Sequence, residues 1–153
     1  MRPARALLWG TLTVGLLDGL DAIVFFGYRG VTPVQVLQSI ASGLLGRAAF
    51  EGGAATAALG ALLHFFIAFA VVAAYHLASR WLPSLTRHPW SYGPLYGLFV
   101  YVVMNQVVVP LSAAVSGPEA LPVIINGLLI HALGVGLPAA LFARASRPNA
   151  PRP

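Results

Sequence analysis

The 153-residue chain contains no cysteine and no lysine, and only 8% of its residues are charged. Without cysteine the chain forms no disulfide, no thiolate metal site and no cysteine nucleophile. In typical soluble domains about a quarter of the residues are charged. This chain has too few charged residues to form the surface of such a domain. Because 58% of the residues are hydrophobic, the sequence predicts a protein whose solvent is mostly lipid.

The net charge of +5 comes entirely from arginine. In a soluble protein, such a basic balance would suggest nucleic acid as a partner. Here the arginines stand at the ends of apolar segments, where membrane proteins use them to fix their orientation. We therefore expect the lipid bilayer as the main partner and no nucleic acid.

Four apolar segments are long enough to cross about 30 Å of hydrocarbon. Each is predicted to be a helix, because lipid offers the backbone no hydrogen-bond partners. The first passes Asp18 and Asp21 and shows no small-x-small cleavage site, so a span is expected there rather than a secretory signal. The sequence thus predicts an all-α fold, a single integral membrane domain over 1–153 that forms an up-down-up-down four-helix transmembrane bundle. The predicted spans are about 6–27, 55–79, 94–115 and 121–143.

The arginines are distributed unequally between the two sides of this bundle. Those on the side of both termini are Arg2, Arg5, Arg80, Arg87, Arg144, Arg147 and Arg152. Those on the other side are Arg29 and Arg47, partly offset by Glu51 and Glu119. The positive-inside rule therefore predicts that the N-terminus and the C-terminus are both cytoplasmic.

The first external loop contains a helix signal. Thr32, Pro33 and Gln35 have the pattern of a capping box with proline at the first helical position, and Gly46 ends the segment. The predicted helix covers about 33–45. Its apolar face is Val34, Leu37, Ile40, Ala41, Leu44 and Leu45, and its polar face is Gln35, Gln38, Ser39 and Ser42. This pattern predicts a short amphipathic interfacial helix that lies on the outer leaflet or caps the bundle, with a re-entrant hairpin as the alternative.

Polar residues within the spans fall at one predicted depth. At about 1.5 Å per residue, Asp18, His64, Asn105 and His131 lie roughly 12 to 15 Å from the external ends, and Asp21 lies one turn shallower. Ionisable residues at such depth usually face the interior of a bundle and are the first candidates for function. Gln106 and Asn126, by contrast, are predicted to point away from this polar layer.

Small residues mark the faces on which membrane helices pack closely. The spacing of Gly15 with Gly19, and of Gly93 with Gly97, is the small-xxx-small pattern of close helix approach. The glycines predicted to serve helix packing are Gly15, Gly19, Gly60, Gly93, Gly97, Gly127 and Gly134.

The polar layer is open to three interpretations. It is a hydrogen-bonded network that specifies helix pairing, a proton or ion path in which Asp18 and His64 exchange protons, or a cofactor site. The first expectation is that the chain binds no cofactor. If the second and fourth spans are diagonal, however, His64 and His131 face each other as ligands of haem b, or of a divalent metal together with a carboxylate. A proton path also requires a water-filled approach, which the sequence does not show.

No phosphate-binding loop, nucleophile elbow or zinc-protease motif is present in the sequence. Asp18 and Asp21 are three residues apart and have no evident partners for general acid–base chemistry. We therefore expect that the chain is not an enzyme.

Several segments resemble a widespread group of small four-span bacterial inner-membrane proteins, which are generally described as uncharacterised. The resemblance covers nearly the whole chain and rests on the segments 38–46 (QSIASGLLG), 50–53 (FEGG), 63–65 (LHF) and 136–140 (GLPAA). It implies a four-span fold and a location in the bacterial inner membrane, and it transfers no catalytic role. The sequence thus favours a structural or accessory subunit of a larger membrane complex, or a homo-oligomer that packs through its glycine-rich faces. The alternative is a small proton or ion transporter, or a haem- or metal-binding protein.

Overall fold

The computed structural model describes residues 1–115, 117 and 120–147, so Glu119 and Arg152 of the predicted charge pattern lie outside the described residues. The described chain is helical with no strand, and four of its helices are long and apolar enough to cross a membrane. The prediction of an all-α bundle with four transmembrane helices is confirmed. In chain order the helices are α1 (Pro3–Gly27), α2 (Pro33–Leu45), α3 (Gly53–Trp81), α4 (Ser84–Arg87), α5 (Pro89–Leu111) and α6 (Leu121–Ala145).

Three spans begin and end within three residues of their predicted limits, whereas α5 is displaced toward the N-terminus. The prediction of 94–115 for this span is wrong because it placed Pro94 at the start. Pro89 takes the first helical position instead, where a missing N–H costs nothing, and Pro94 lies inside the helix. At the other end, Ser112 is extended (φ −94°, ψ 177°), and its hydroxyl donates to the carbonyl of Val109 at 2.8 Å.

Both α5 and α6 contain a π-helical turn shortly before a proline. The turns are Met104–Val108, followed by Pro110, and His131–Gly136, followed by Pro138. A proline has no N–H for the carbonyl four residues earlier and clashes with it in a regular helix. The wider turn removes this clash, since its backbone bonds span five residues. π turns are rare and frequently mark functional sites.

Helix α2 has the predicted cap, and residues of both its predicted faces are buried. The Thr32 hydroxyl accepts from the Gln35 N–H at 3.3 Å, and the Gln35 side chain accepts from the Thr32 N–H at 2.9 Å. The buried residues of α2 are both polar and apolar, since Gln38 and Ser42 are 4% and 1% exposed and Val36 and Ala41 are 7% and 0% exposed. Gln38 donates to the carbonyl of Gly53 at 3.2 Å, at the start of α3.

The apolar residues Val34, Leu44 and Leu45 of α2 are exposed. They lie on the outside of the bundle, as lipid-facing residues do. The loop after α5 holds α2 in place, since the Ala113 N–H donates to the Gly43 carbonyl at 3.0 Å. The interfacial depth of α2 stays a prediction.

Both described chain ends lie on the same side of the bundle. The Met1 amino group donates to the Ala145 carbonyl at 2.7 Å, at the last residue of α6. We call this side, with the 82–88 connection, the terminal side, and the opposite one the α2 side. The buried hydrophobic core occupies the terminal half and consists of Val14, Ala68, Val72, Tyr75, Val135, Ala139, Ala140 and Ala143.

Neighbouring spans follow the ring order α1, α3, α5 and α6. Helix α6 packs against α1 and α5 and also contacts α3, so the two helices predicted to be diagonal approach each other across the bundle. Helices α3 and α5 meet at Tyr96, whose hydroxyl donates to the Val71 carbonyl at 2.8 Å and whose ring centroid lies 4.9 Å from that of Tyr75. Helix α2 covers a flank of α3, where a Cβ at Gly60 would overlap the carbonyl of Leu37.

Candidate functional site

A cavity of about 910 Å³ lies between the hydrophobic core and the α2 side. Its floor is formed by core residues, among them Val14, Ala68 and Val135, and its lining extends to Gly30 and Gln35 near the loop ends. The polar side chains that line it within the spans are Asp18, Asp21, His64, Tyr101, Asn105, Asn126 and His131. All five residues of the predicted polar layer therefore line one cavity.

Asp18 lies between two histidines from different helices. The Nδ1 atom of His64 is 4.0 Å from Asp18 Oδ2, and the Nδ1 atom of His131 is 4.0 Å from Asp18 Oδ1. These distances fit ion pairs but exceed hydrogen-bond lengths. The Asp18 side chain is 26% exposed, against 14% for His64 and 19% for His131, so the carboxylate is the most accessible of the three.

The partner of His64 on α1 determines which ring nitrogen holds its proton. The Nε2 atom is 2.8 Å from the carbonyl oxygen of Gly15, and because a carbonyl only accepts, Nε2 carries the hydrogen. In the neutral ring, Nδ1 then presents a lone pair to the Asp18 carboxylate, and two acceptors face each other. The Asp18–His64 pair thus presents two facing acceptors, and a positive charge placed between them is attracted by both.

His131 has a different arrangement. Its Nδ1 atom is 3.0 Å from the carbonyl of Gly127, one turn earlier on the same helix, so Nδ1 carries the hydrogen there. The same Nδ1 atom is the one that lies 4.0 Å from Asp18 Oδ1. The Tyr101 ring contacts the imidazole edge to face, with ring centroids 5.3 Å apart. His131 is the first residue of the π turn in α6.

Asp21 has a partner that sequence reasoning missed. Asn126 Nδ2 donates to Asp21 Oδ2 at 2.6 Å, so the prediction that Asn126 points away from the polar layer is wrong. The available signal was depth, because Asn126 lies five residues nearer the α2 side than His131, and Asp21 lies three residues nearer that side than Asp18. Helical phase alone could not show that α1 packs on this face of α6.

Asn105 lines the cavity from α5 and lies within the first π turn. Its side-chain amide donates to the carbonyl of Tyr101 on the same helix at 3.0 Å. The structure therefore brings Asp18, His64 and His131 together, with Asp21 and Asn105 on the wall of the same cavity.

Comparison with protein families, curated proteins and solved structures finds no match. The function of the site therefore has to follow from the chemistry of its own residues. The resemblance to small inner-membrane proteins stays a prediction.

Each glycine predicted to serve packing is in contact with another part of the chain. A Cβ at Gly19 would lie 3.1 Å from His64 Nε2, so this glycine makes room for the imidazole. The others adjoin side chains or backbone of the chain itself; the full set is Gly15, Gly19, Gly60, Gly93, Gly97, Gly127 and Gly134. The helix faces that carry these glycines thus pack against other parts of the same chain.

We expect the protein purified in mild detergent to show no Soret band and no stoichiometric metal. A bis-histidine haem requires its iron between the two imidazoles, and here the Asp18 carboxylate lies between His64 and His131. Among residues 1–115, 117 and 120–147, no three His, Asp or Glu side chains are placed to hold a metal. The measurement is an absorption spectrum with metal analysis. A band or a metal lost in both His64→Ala and His131→Ala would restore the cofactor interpretation.

Proposed function

We propose that this membrane protein is a carrier that exchanges a cation for a proton at Asp18, His64 and His131. The observation that carries the proposal is the pair of facing acceptors, Asp18 and His64, at the floor of a cavity. A cation that reaches this floor displaces the proton that the pair holds, and one positive charge replaces another. The expectation that the chain is not an enzyme is retained, because this exchange makes and breaks no covalent bond other than that to the proton.

The charge of the cavity supports a cationic solute. Asp18 and Asp21 are its acidic lining residues, and no arginine is among the described residues that line it. A cleft lined by charges of one sign concentrates ions of the other sign, and low-dielectric walls strengthen the effect. An anionic solute would lack a basic partner in this cavity.

The closed terminal half supports a carrier rather than an open channel. The buried core lies directly beyond the cavity floor, and the Tyr75 hydroxyl ties α3 to the 82–88 connection by donating to the Leu85 carbonyl at 2.9 Å. Carriers expose a site near the middle of the membrane to one side at a time. The π turn 131–136, with glycines at 134 and 136, gives α6 a hinge beside the floor.

We also propose that the termini face the cytoplasm of a bacterium and that the cavity opens outward. The described arginines of the terminal side are Arg2, Arg5, Arg80, Arg87, Arg144 and Arg147. Only Arg29 and Arg47 lie on the α2 side of the described chain. This bias follows the positive-inside rule for a bacterial inner-membrane protein.

Proteoliposomes with an acidic interior test the exchange. Sodium, potassium, magnesium and a quaternary ammonium ion are added outside in separate experiments, and at least one of them is expected to dissipate the pH gradient, reported by a fluorescent weak base. Quaternary ammonium ions carry no proton themselves, so a response requires exchange through the protein. If no cation dissipates the gradient faster than in protein-free liposomes, the proposal is wrong.

Orientation and access are tested by cysteine labelling. Because the chain has no cysteine, single substitutions give labelling without background. Ser39→Cys, on the wall of the cavity, is expected to react with a membrane-impermeant maleimide in intact cells, since a thiol needs water to ionise and react. Ser91→Cys, exposed on the terminal side, is expected to react only after permeabilisation. The opposite pattern would reverse the proposed orientation.

An accessory role in a larger membrane complex or homo-oligomer is the second candidate. The broad apolar exterior supports it, for example Leu62 and Phe66 of α3, which are 71% and 67% exposed. Lipid covers such a surface equally well. The glycine-rich faces that were predicted to meet a partner are occupied by the chain itself, so the carrier is the function that the geometry supports best.

A further inference from the structure

We infer that the exchanged cation is a monovalent organic ion with an apolar body, bound beside Asp21 and the aromatic wall of the cavity. This inference rests on the proposed exchange function and names its substrate class. The aromatic wall consists of Phe25, Phe26 and Phe50, which line the cavity on the α2 side of Asp21.

The cavity is unsuited to a small inorganic cation. Calcium and magnesium require six or more oxygen ligands at 2.0 to 2.6 Å. In the part of the chain that the structure describes, no three acidic or histidine side chains are placed to hold a metal. Apolar side chains such as Ile67, Val100 and Met104 form much of the wall, and these offer a hydrated ion no replacement for water.

The same walls suit a large, weakly hydrated cation. The volume of about 910 Å³ is within the range of pockets that enclose drug-sized molecules. An apolar body gains free energy on leaving water, and aromatic faces attract a positive charge. Phe25 shows this attraction within the chain, since the guanidinium of Arg29 lies 3.8 Å from its ring centroid. Arg29 itself is exposed and does not line the cavity.

Asp21 is the carboxylate placed for the charge of this ligand. It is one helical turn from Phe25 on the same face of α1, so carboxylate and ring are neighbours. The hydrogen bond from Asn126 holds Asp21 Oδ2 in position. Asp18 faces His64 and His131, each at 4.0 Å, and in the proposed exchange it holds the proton together with His64. A single carboxylate is thus available to the ligand, which matches one positive charge.

Two rigid probes of nearly equal shape and opposite charge test the inference. Equilibrium dialysis of the purified full chain in detergent, against detergent alone, measures the binding of tetraphenylphosphonium and of tetraphenylborate. We expect the phosphonium to bind at least about tenfold more tightly than the borate, because only the phosphonium is complementary to Asp21. Equal affinities, or tighter binding of the borate, would overturn the inference. This comparison uses the wild-type protein and does not depend on any variant.

Matched variants locate the site. Asp21→Asn is expected to weaken phosphonium binding by about tenfold or more, since it removes the charge and keeps the shape. Glu51→Gln removes an exposed carboxylate of the α2 side that does not line the cavity, and its affinity is expected to stay within about twofold of wild type. Equal losses in the two variants would contradict the assignment of Asp21.

Proton release separates this inference from the proposed function. In weakly buffered solution with a pH dye, phosphonium binding by the wild type is expected to release about one proton per protein. Binding without release would leave the organic-cation site standing and reject the exchange. Exchange of inorganic cations in liposomes without phosphonium binding would support the exchange function and reject the organic-cation site.

Discussion

Replacing Asp18 by asparagine is expected to abolish cation-driven proton exchange in proteoliposomes while the bundle stays folded. The amide has nearly the same shape, and its NH₂ group can donate to the lone pair that His64 Nδ1 presents, so packing is preserved. The amide neither takes up nor releases a proton near neutral pH. Because positioned proton transfer contributes about a hundredfold or more to rates, we expect the exchange rate to fall by at least that factor.

Two carboxylate variants serve as controls for Asp18→Asn. Glu51→Gln is expected to exchange at the wild-type rate, because this residue lies outside the cavity lining. Asp21→Asn is expected to require a higher cation concentration and to reach the wild-type maximal rate, since it weakens binding and leaves the proton-holding pair intact. Full exchange by Asp18→Asn would show that the polar layer is a structural network.

The fold follows from the sequence to a large extent because lipid leaves few choices. A chain with so little charge and four long apolar segments lies in lipid, and there its backbone N–H and C=O groups must form their hydrogen bonds within helices. The cap at Thr32 could be predicted from the sequence because its hydrogen bonds join residues only three positions apart. The start of α5 was misplaced because two prolines compete for the first helical position. The structure shows that Pro89 takes it.

The site was less predictable than the fold. Depth along the spans was sufficient to place Asp18, His64 and His131 in one layer, since it needs only a count of residues. The choice of neighbours needs tertiary structure, and the partnership of Asp21 with Asn126 depends on α1 packing against α6. The cavity has the same origin, because no local pattern shows that the core fills only the terminal half.

The face of α2 illustrates a further limit. Amphipathicity shows that a helix has two faces, and in water the apolar face turns inward. In lipid this preference is lost, because the surroundings are as apolar as the bundle. Gln38 and Ser42 are therefore buried against hydrogen-bonding partners, and Leu44 remains outside.

Replacing Gly97 by alanine is expected to destabilise the bundle by about 3 kcal/mol, the upper range for overpacking. A Cβ at this position would overlap the carbonyl oxygen of His131 and lie 2.9 Å from the Cα of Ala132. These are backbone atoms, so the strain cannot be relieved by rotation of a side chain. Relief requires α5 and α6 to separate. For a chain of this size we expect a melting temperature in detergent lower by about 10 °C.

Gly27→Ala is the matched control, because a Cβ there would meet no atom within 4 Å. Alanine is the better helix former by about 1 kcal/mol, so this variant is expected to melt at or slightly above the wild-type temperature. Any Gly97→Ala protein that remains folded should also have a displaced His131, since the clash involves its carbonyl. Proton exchange is then expected to be slower at temperatures where the variant is intact. A variant with wild-type melting temperature and exchange rate would show that α5 and α6 do not touch through their backbones.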